Sequence, residues 1–222
     1  MLPIILLTLA PSIAICIYIY WQDKFDKEPK RLLVASFFLG VLSVIPTLIF
    51  SYIGQSLGFN HESNDLLWSV VSCIIGIGLV EEYSKFMFVR FYGYNKPAFN
   101  EPFDGITYSV MVAMGFATFE NILYVSSGGM GTAVGRMFTA VPAHASFGII
   151  AGYFLGLQKS RNIPYYGLFG VALASISHGL YDFFIFKANH ENFIQYWLVV
   201  FALCIYFSFR AIRLHQANSP HK

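Results

Sequence analysis

The sequence predicts an all-α fold, a polytopic membrane helical bundle of about seven transmembrane helices, and three observations carry that reading. Hydrophobic residues make up 56% of the 222 positions and charged residues only 12%, against roughly a quarter charged in soluble domains. Seven segments stay apolar for about 20 residues, the length that crosses the hydrocarbon core of a bilayer. Lys and Arg collect in alternate connections between those segments, as membrane topology requires.

The segments run over 2–21, 32–53, 67–92, 104–127, 132–158, 165–187 and 193–214. Turn-forming or polar clusters separate them at 23–31, 54–65, 93–103, 128–131, 159–164 and 188–192. The first has no basic stretch before it, so it reads as a spanning helix rather than a cleavable signal peptide. Pro11 and Pro46 lie inside the first two and should kink or break them. The third and fourth carry most of the buried charge. The fifth presents Gly148, Gly152 and Gly156 at four-residue spacing, which lets a neighbouring helix approach closely. Packing inside the bundle and a dimer face both remain open. The sixth holds a histidine and an aspartate, and the seventh is apolar up to its basic end. No connection is long enough for a separate domain and no repeat is evident. Residues 1–222 are expected to form one integral-membrane domain with its core helices at 67–187.

Lys24, Lys27, Lys30 and Arg31 follow the first segment, Arg90 and Lys96 the third, Lys159 and Arg161 the fifth, and Arg210, Arg213 and Lys222 the last. The other side has only Arg136 and Lys187. The first loop and the C-terminus are therefore expected in the cytoplasm, and the N-terminus outside. A net charge of +2 offers nothing to a nucleic acid. The expected surroundings are the lipid bilayer, with aromatic side chains girdling the helix ends. Cys16, Cys73 and Cys204 all fall inside apolar runs, an odd set that reads as core residues rather than disulfides or a zinc ribbon.

Charges inside apolar segments cost roughly 2.5–3.5 kcal/mol each at mid-depth, so those that occur call for an explanation. The third segment has Glu81, Glu82 and Lys85. Glu81 and Lys85 are one turn apart and share a face, while Glu82 points about 100° away. Burial and an adjacent ammonium act oppositely on a carboxyl, so the pair can keep one glutamate ionised and its neighbour protonated. The fourth segment has Glu120, Asn121 and Tyr124. The fifth has His144. The sixth has His178 and Asp182 on one face, where a carboxylate can fix the tautomer and orientation of an imidazole. By helix rise, Glu81 and His144 fall near mid-bilayer, with Glu120, His178 and Asp182 nearer the outer surface. The five could line one cavity. His61, His190, His215 and His221 fall in loops or the tail and are given no role.

No serine or cysteine sits in a nucleophile motif, no His-Glu-x-x-His occurs, and the Tyr-Asp with Gly-x-Gly-Asp pattern of presenilins is missing. Carboxylates and imidazoles without a covalent nucleophile suit hydrolysis by a water that a glutamate deprotonates, with imidazole or amide donors steadying the oxyanion. The reaction as read needs no cofactor, yet three carboxylates and two histidines could also hold a metal that activates water. That alternative stays open. So do two from other classes: a transporter using these groups as a proton or ion relay, and a non-catalytic adaptor that binds a transmembrane helix.

Several blocks carry a family resemblance: Glu81-Glu82-Tyr-Ser-Lys85, Phe103-Asp-Gly-Ile-Thr-Tyr108, the 115–124 block with Glu120-Asn121, His144-Ala, and His178-Gly-Leu-Tyr-Asp182-Phe. With the 23–29 loop, they resemble the signature blocks of PrsW-type intramembrane proteases, in order and along nearly the whole chain. That family belongs with the CAAX-protease and bacteriocin-processing superfamily of glutamate-dependent membrane proteases. The resemblance implies a multi-pass protein of the bacterial cell membrane. It also implies site-1 cleavage of a single-span substrate, an anti-sigma factor, leading to release of an extracytoplasmic-function sigma factor.

Position by position, Glu81 and Glu82 match the superfamily's paired glutamates, with Lys85 near a place usually held by arginine. Phe116 and Glu120 fall on a Phe-x-x-x-His motif with glutamate replacing the histidine. His178 and Asp182 fall on a His-x-x-x-Asn motif with aspartate replacing the asparagine. Glu120 is not an imidazole, which leaves His144 to supply that function. Asp182 donates to an oxyanion only when protonated and otherwise orients His178. The expected catalytic set is Glu81, Glu82, Glu120, His144 and His178, supported by Lys85, Asn121 and Asp182.

Overall fold

The structure, a computed structural model, describes residues 2–190 and 192–222. No strand occurs among the described residues. In chain order the helices are α1 (Leu2–Gln22), α2 (Lys30–Leu42), α3 (Val44–Ser56), α4 (Leu66–Val71), a π-helical segment (Ser72–Leu79), α5 (Val80–Phe91), a 3-10 turn (Gly93–Asn95), α6 (Pro102–Phe138), α7 (Ala140–Arg161), α8 (Tyr166–Phe186) and α9 (Phe193–Ala217). Five helical stretches are long and apolar enough to cross a membrane: Lys30–Ser56, Leu66–Asn95, Pro102–Arg161, Tyr166–Phe186 and Phe193–Ala217. Leu6–Gln22 is a shorter apolar helix.

Proline explains two of the breaks. Pro46 cannot donate to the carbonyl of Leu42, and the chain turns between them, at Ser43, where α2 gives way to α3. Pro142 likewise cannot donate to Phe138, and Thr139 leaves helical geometry (φ −120°, ψ −74°) just before α7. The expected helix 132–158 is therefore interrupted, and its long part is α7. Pro11 lies inside a continuous α1. The 128–131 turn contracts to one residue, Gly129 at φ 68° and ψ −159°, flanked by helix on both sides.

Burial is inverted relative to a water-soluble domain. Phe91 is 74% exposed and Tyr52 73%, whereas Lys85 is 4% and His178 3%. Apolar side chains face outward, where lipid needs no hydrogen bonds, and the charges face inward. The axis is α6, packed against α1, α2 and α7, while α8 packs on α7, the π-helical segment and α9. The glycine stripe of α7 lies within the bundle: a Cβ on Gly152 would stand 2.3 Å from the Gly105 carbonyl of α6.

The first connection closes the end of α1. Lys27 Nζ donates to the carbonyls of Tyr20 and Asp23, each at 2.8 Å, satisfying acceptors that a helix C-terminus leaves open. Burial lifts the carboxyl of Asp23 to about 6 and that of Glu28 to about 7. His215 is a correction to the reading of the tail: it lies on α9, fully buried, with its ring 3.0 Å from the Tyr153 carbonyl.

Candidate active site

The paired glutamates enter the bundle from an unusual helix. Ser72–Leu79 is π-helical, and such i→i+5 segments recur at functional sites. This one lies against α8, and glycine makes the approach possible. A Cβ on Gly179 would stand 2.4 Å from the Ile74 Cα, and one on Gly78 2.3 Å from the Ser175 carbonyl. Neither position accepts a larger residue without separating the helices. The contact brings His178, next to Gly179, up to the carboxylates that begin α5.

Glu82 is the hub. Its Oε1 accepts from Lys85 Nζ at 2.6 Å and from His178 Nδ1 at 2.8 Å. Sequence spacing suggested that Lys85 would face Glu81; the ammonium reaches Glu81 Oε2 only at 3.6 Å and belongs chiefly to Glu82. With Nδ1–H given to Glu82, His178 presents Nε2 to Glu81 Oε2 at 3.8 Å and to Asp182 Oδ2 at 3.4 Å. Phe147 stacks on this imidazole, ring centroids 4.6 Å apart. Glu81 Oε2 is buried and has no hydrogen-bond partner.

A second chain of contacts runs through α6 and α7. His144 Nδ1 lies 3.3 Å from Lys85 Nζ, and its Nε2 lies 2.8 Å from Glu120 Oε2. An ammonium can only donate, so the network assigns His144 the Nε2–H tautomer, donating to Glu120. Arg136 Nη2 donates to Glu120 Oε2 at 2.6 Å, and Arg136 Nε to Asn121 Oδ1 at 2.6 Å. A straight helix would hold residues 120 and 136 about 24 Å apart. The chain thus folds back at Gly129, and the last part of α6 returns Arg136 to the site.

A cavity of about 350 Å³ joins these groups, lined by Glu81, Glu120, His144, His178 and Asp182 together with Arg136 and Tyr124. Of the sequence-predicted set, Glu82, Lys85 and Asn121 do not line the cavity, and Asn121 accepts a hydrogen bond from Arg136, which does. Sequence reading missed Arg136, which stood out only as a rare cation on its side of the topology. It also missed His61, which lines the cavity rim, and Phe147, which is one turn from His144.

Glu81, His144 and His178 each offer a donor atom, all within 4.8 Å of one another. The orphaned Glu81 oxygen and the free His178 Nε2 fit a divalent ion, and Glu82 on the far nitrogen of His178 is the usual outer-shell support of a histidine ligand. His144 would exchange one of its present partners to join them. The nearest like charge, Lys85, is already paired with Glu82.

The sequence matches the family described as "PrsW family intramembrane metalloprotease" over residues 28–208, a span that includes every side chain of the cavity. The chain belongs to the PrsW family. It is accordingly an enzyme, an intramembrane protease, and a multi-pass membrane protein. It is similar to Protease PrsW of Geobacillus kaustophilus, 31% identical over 201 residues, covering 90% of this chain and 85% of the relative. Protease PrsW of Bacillus subtilis is 32% identical over 214 residues, 95% of this chain and 94% of the relative. Protease PrsW of Oceanobacillus iheyensis is 34% identical over 221 residues, 98% and 97%. No solved structure matches the chain. PrsW membership accords with a cluster of carboxylates and imidazoles inside an apolar bundle.

Proposed function

We propose that this chain is an endopeptidase hydrolysing a peptide bond in a single-span membrane protein, with Glu81 as the base and an anti-sigma factor as the substrate. Cleavage at this first site would begin the release of an extracytoplasmic-function sigma factor. One observation carries the chemistry: Glu81 lines a polar cavity, and its buried Oε2 makes no hydrogen bond, lying 3.8 Å from His178 Nε2 and 3.6 Å from Lys85 Nζ. A water bridging to Glu81 from the cavity would lose its proton to that carboxylate as it attacks the scissile carbonyl, and Glu81 would pass the proton to the departing amine as the C–N bond breaks. Glu82 and Asp182 are positioning residues, fixing the ring of His178. Arg136, with guanidinium N–H groups beyond those given to Glu120 and Asn121, supplies a cationic donor at the cavity where an oxyanion would be steadied, and His144, its Nε2–H given to Glu120, fixes that carboxylate. In the alternative in which Glu81, His144 and His178 hold a divalent ion, that ion would supply Lewis acidity for activating water and polarising the carbonyl in place of Glu81 acting as the base.

The reading includes the topology. The chain acts as one membrane domain, residues 1–222, crossing seven times with the N-terminus outside and the C-terminus in the cytoplasm. The Lys and Arg distribution supports this. The cavity is formed by the parts of α5, α6, α7 and α8 that this topology turns toward the outer half of the bilayer. Substrate would then enter from that side, and the cut would fall in its extracytoplasmic juxtamembrane part or just inside the outer boundary.

The test is cleavage of a tagged single-span candidate substrate in membranes by wild type and by Glu81→Gln. Loss of the product fragment in the variant, at equal membrane abundance, is expected. Equal cleavage by both would remove Glu81 as the base.

A further inference from the structure

A second cluster of carboxyl groups lies at the other end of α6, remote from the cavity. Asp23 and Glu28 of the first connection meet Glu101 and Asp104 at the start of α6, and all four are buried, Asp23 and Asp104 completely. Four carboxyls so placed would ordinarily need cationic partners, because an unpaired buried charge is costly. Among the described residues no Lys, Arg or His forms an ion pair with any of them. The nearby lysines are engaged elsewhere: Lys27 with the carbonyls of Tyr20 and Asp23, Lys159 with that of Tyr94.

The neutral partners use up only part of the acceptor capacity. Asp104 Oδ2 accepts from the backbone N–H groups of Asn100 and Glu101, each at 2.7 Å, which is the capping of α6. Asp23 Oδ2 accepts from Glu28 N–H at 3.2 Å. The hydroxyls of Tyr108 and Ser219 donate to Glu28 and Glu101. Glu28 and Asp104 also share a side-chain hydrogen bond, and Asp23 Oδ1 and Asp104 Oδ1 remain, both buried and neither accepting a hydrogen bond. Asp23, Glu101 and Asp104 offer oxygens that all lie within 4.8 Å of one another. Capping alone would account for Asp104 and Glu101, but it leaves the two orphaned oxygens unexplained.

We propose that Asp23, Glu101 and Asp104 form a binding site for a divalent, oxygen-preferring cation such as Ca²⁺, Mg²⁺ or Mn²⁺. An all-oxygen, all-carboxylate donor set with no nitrogen or sulfur selects hard ions of this kind, which readily keep waters in their remaining positions. Asp104 and Glu120 are about 24 Å apart along α6, so the ion takes no part in hydrolysis. It would pin together three segments distant in sequence: the connection after α1, the start of α6, and the C-terminal tail that reaches Glu101 through Ser219.

The test uses the full chain purified in detergent, carrying Glu81→Gln and His178→Gln so that ions at the cavity do not contribute. Mn²⁺ titration followed by electron paramagnetic resonance should find one bound ion per chain, displaced by Ca²⁺ or Mg²⁺. Saturating Ca²⁺ or Mg²⁺ should raise the unfolding temperature by about 5 °C over EDTA. Asp23→Asn and Asp104→Asn should each weaken Mn²⁺ binding at least tenfold. No bound Mn²⁺ in the parent, or binding that neither substitution changes, overturns the site. If either aspartate variant fails to fold, the parent's stoichiometry and cation-dependent unfolding still decide. These readouts do not involve cleavage, so failure here leaves the proteolytic reading untouched.

Discussion

His178 Nδ1 stands 2.8 Å from Glu82 Oε1, and this contact turns the opposite nitrogen of the ring toward Glu81. Adjacent carboxylates thereby acquire different surroundings. Glu82, with Lys85 and His178 both on one oxygen, is held in place; Glu81, which lines the cavity, keeps an oxygen that accepts no hydrogen bond.

Glu81→Gln preserves size and hydrogen-bonding capacity while removing the proposed base. Cleavage should fall by about 10²–10⁴-fold, the usual worth of general-base catalysis, with unchanged insertion and thermal unfolding. A loss of less than tenfold in a quantified membrane assay would assign the base elsewhere.

Glu82 should behave as a positioning residue. Glu82→Gln keeps an oxygen that can accept from His178, so activity should drop about 10–100-fold. Glu82→Ala has no acceptor and should drop further. Identical activities for the two variants would mean that orientation of His178 is not what Glu82 contributes.

Gly179→Ala changes no titratable group yet should damage the site. Its Cβ would meet the Ile74 backbone at 2.4 Å, and backbone cannot step aside as a side chain can. The α8–π-helix contact would open at a cost of about 1–3 kcal/mol, visible as a lower unfolding temperature and as reduced cleavage. An alanine variant as stable and active as wild type would contradict the contact.

Arg136→Ala leaves Glu120 without its guanidinium. Both side chains retain some exposure, 17% and 18%, so the destabilisation should stay below the 3–5 kcal/mol typical of a fully buried pair, at about 2 kcal/mol. Arg136→Lys should recover part of the stability but not the second bond to Asn121. Calorimetry of the three proteins in one detergent checks the order.

Reporter fusions should place the 159–164 connection and the C-terminus in the cytoplasm. Sequencing the new terminus of a cleaved substrate should locate the cut on the extracytoplasmic side. A cytoplasmic cut would reverse the orientation or the depth assigned to the cavity.

Much of the site was legible because lipid makes charge conspicuous. Glu81, Glu82, Lys85, Glu120, His144, His178 and Asp182 all stand out against apolar surroundings, and helical spacing foretold the His178–Asp182 pair. What escaped was geometry that composition does not encode. Ser72–Leu79 reads as an ordinary apolar helix, since nothing in a Gly- and Ile-rich run distinguishes i→i+4 from i→i+5 bonding. Pro142 carried the signal for the break at Thr139, yet a proline within a long apolar stretch is also compatible with a kink. Arg136 was misjudged because its partner depends on the reversal at Gly129. Asp23 and Asp104 drew no role from the residues around them, because their burial depends on the packing of segments distant in sequence.

The π-helical segment also changes how the third stretch should be decoded. Its wider winding shifts the angular phase between Leu66–Val71 and Val80–Phe91, so no single helical wheel describes both. A substitution map plotted with one uniform period would scatter the sensitive positions around the whole circumference. Plotted with a phase slip at Ser72–Leu79, the same map should collapse into one continuous stripe leading to Glu81 and Glu82.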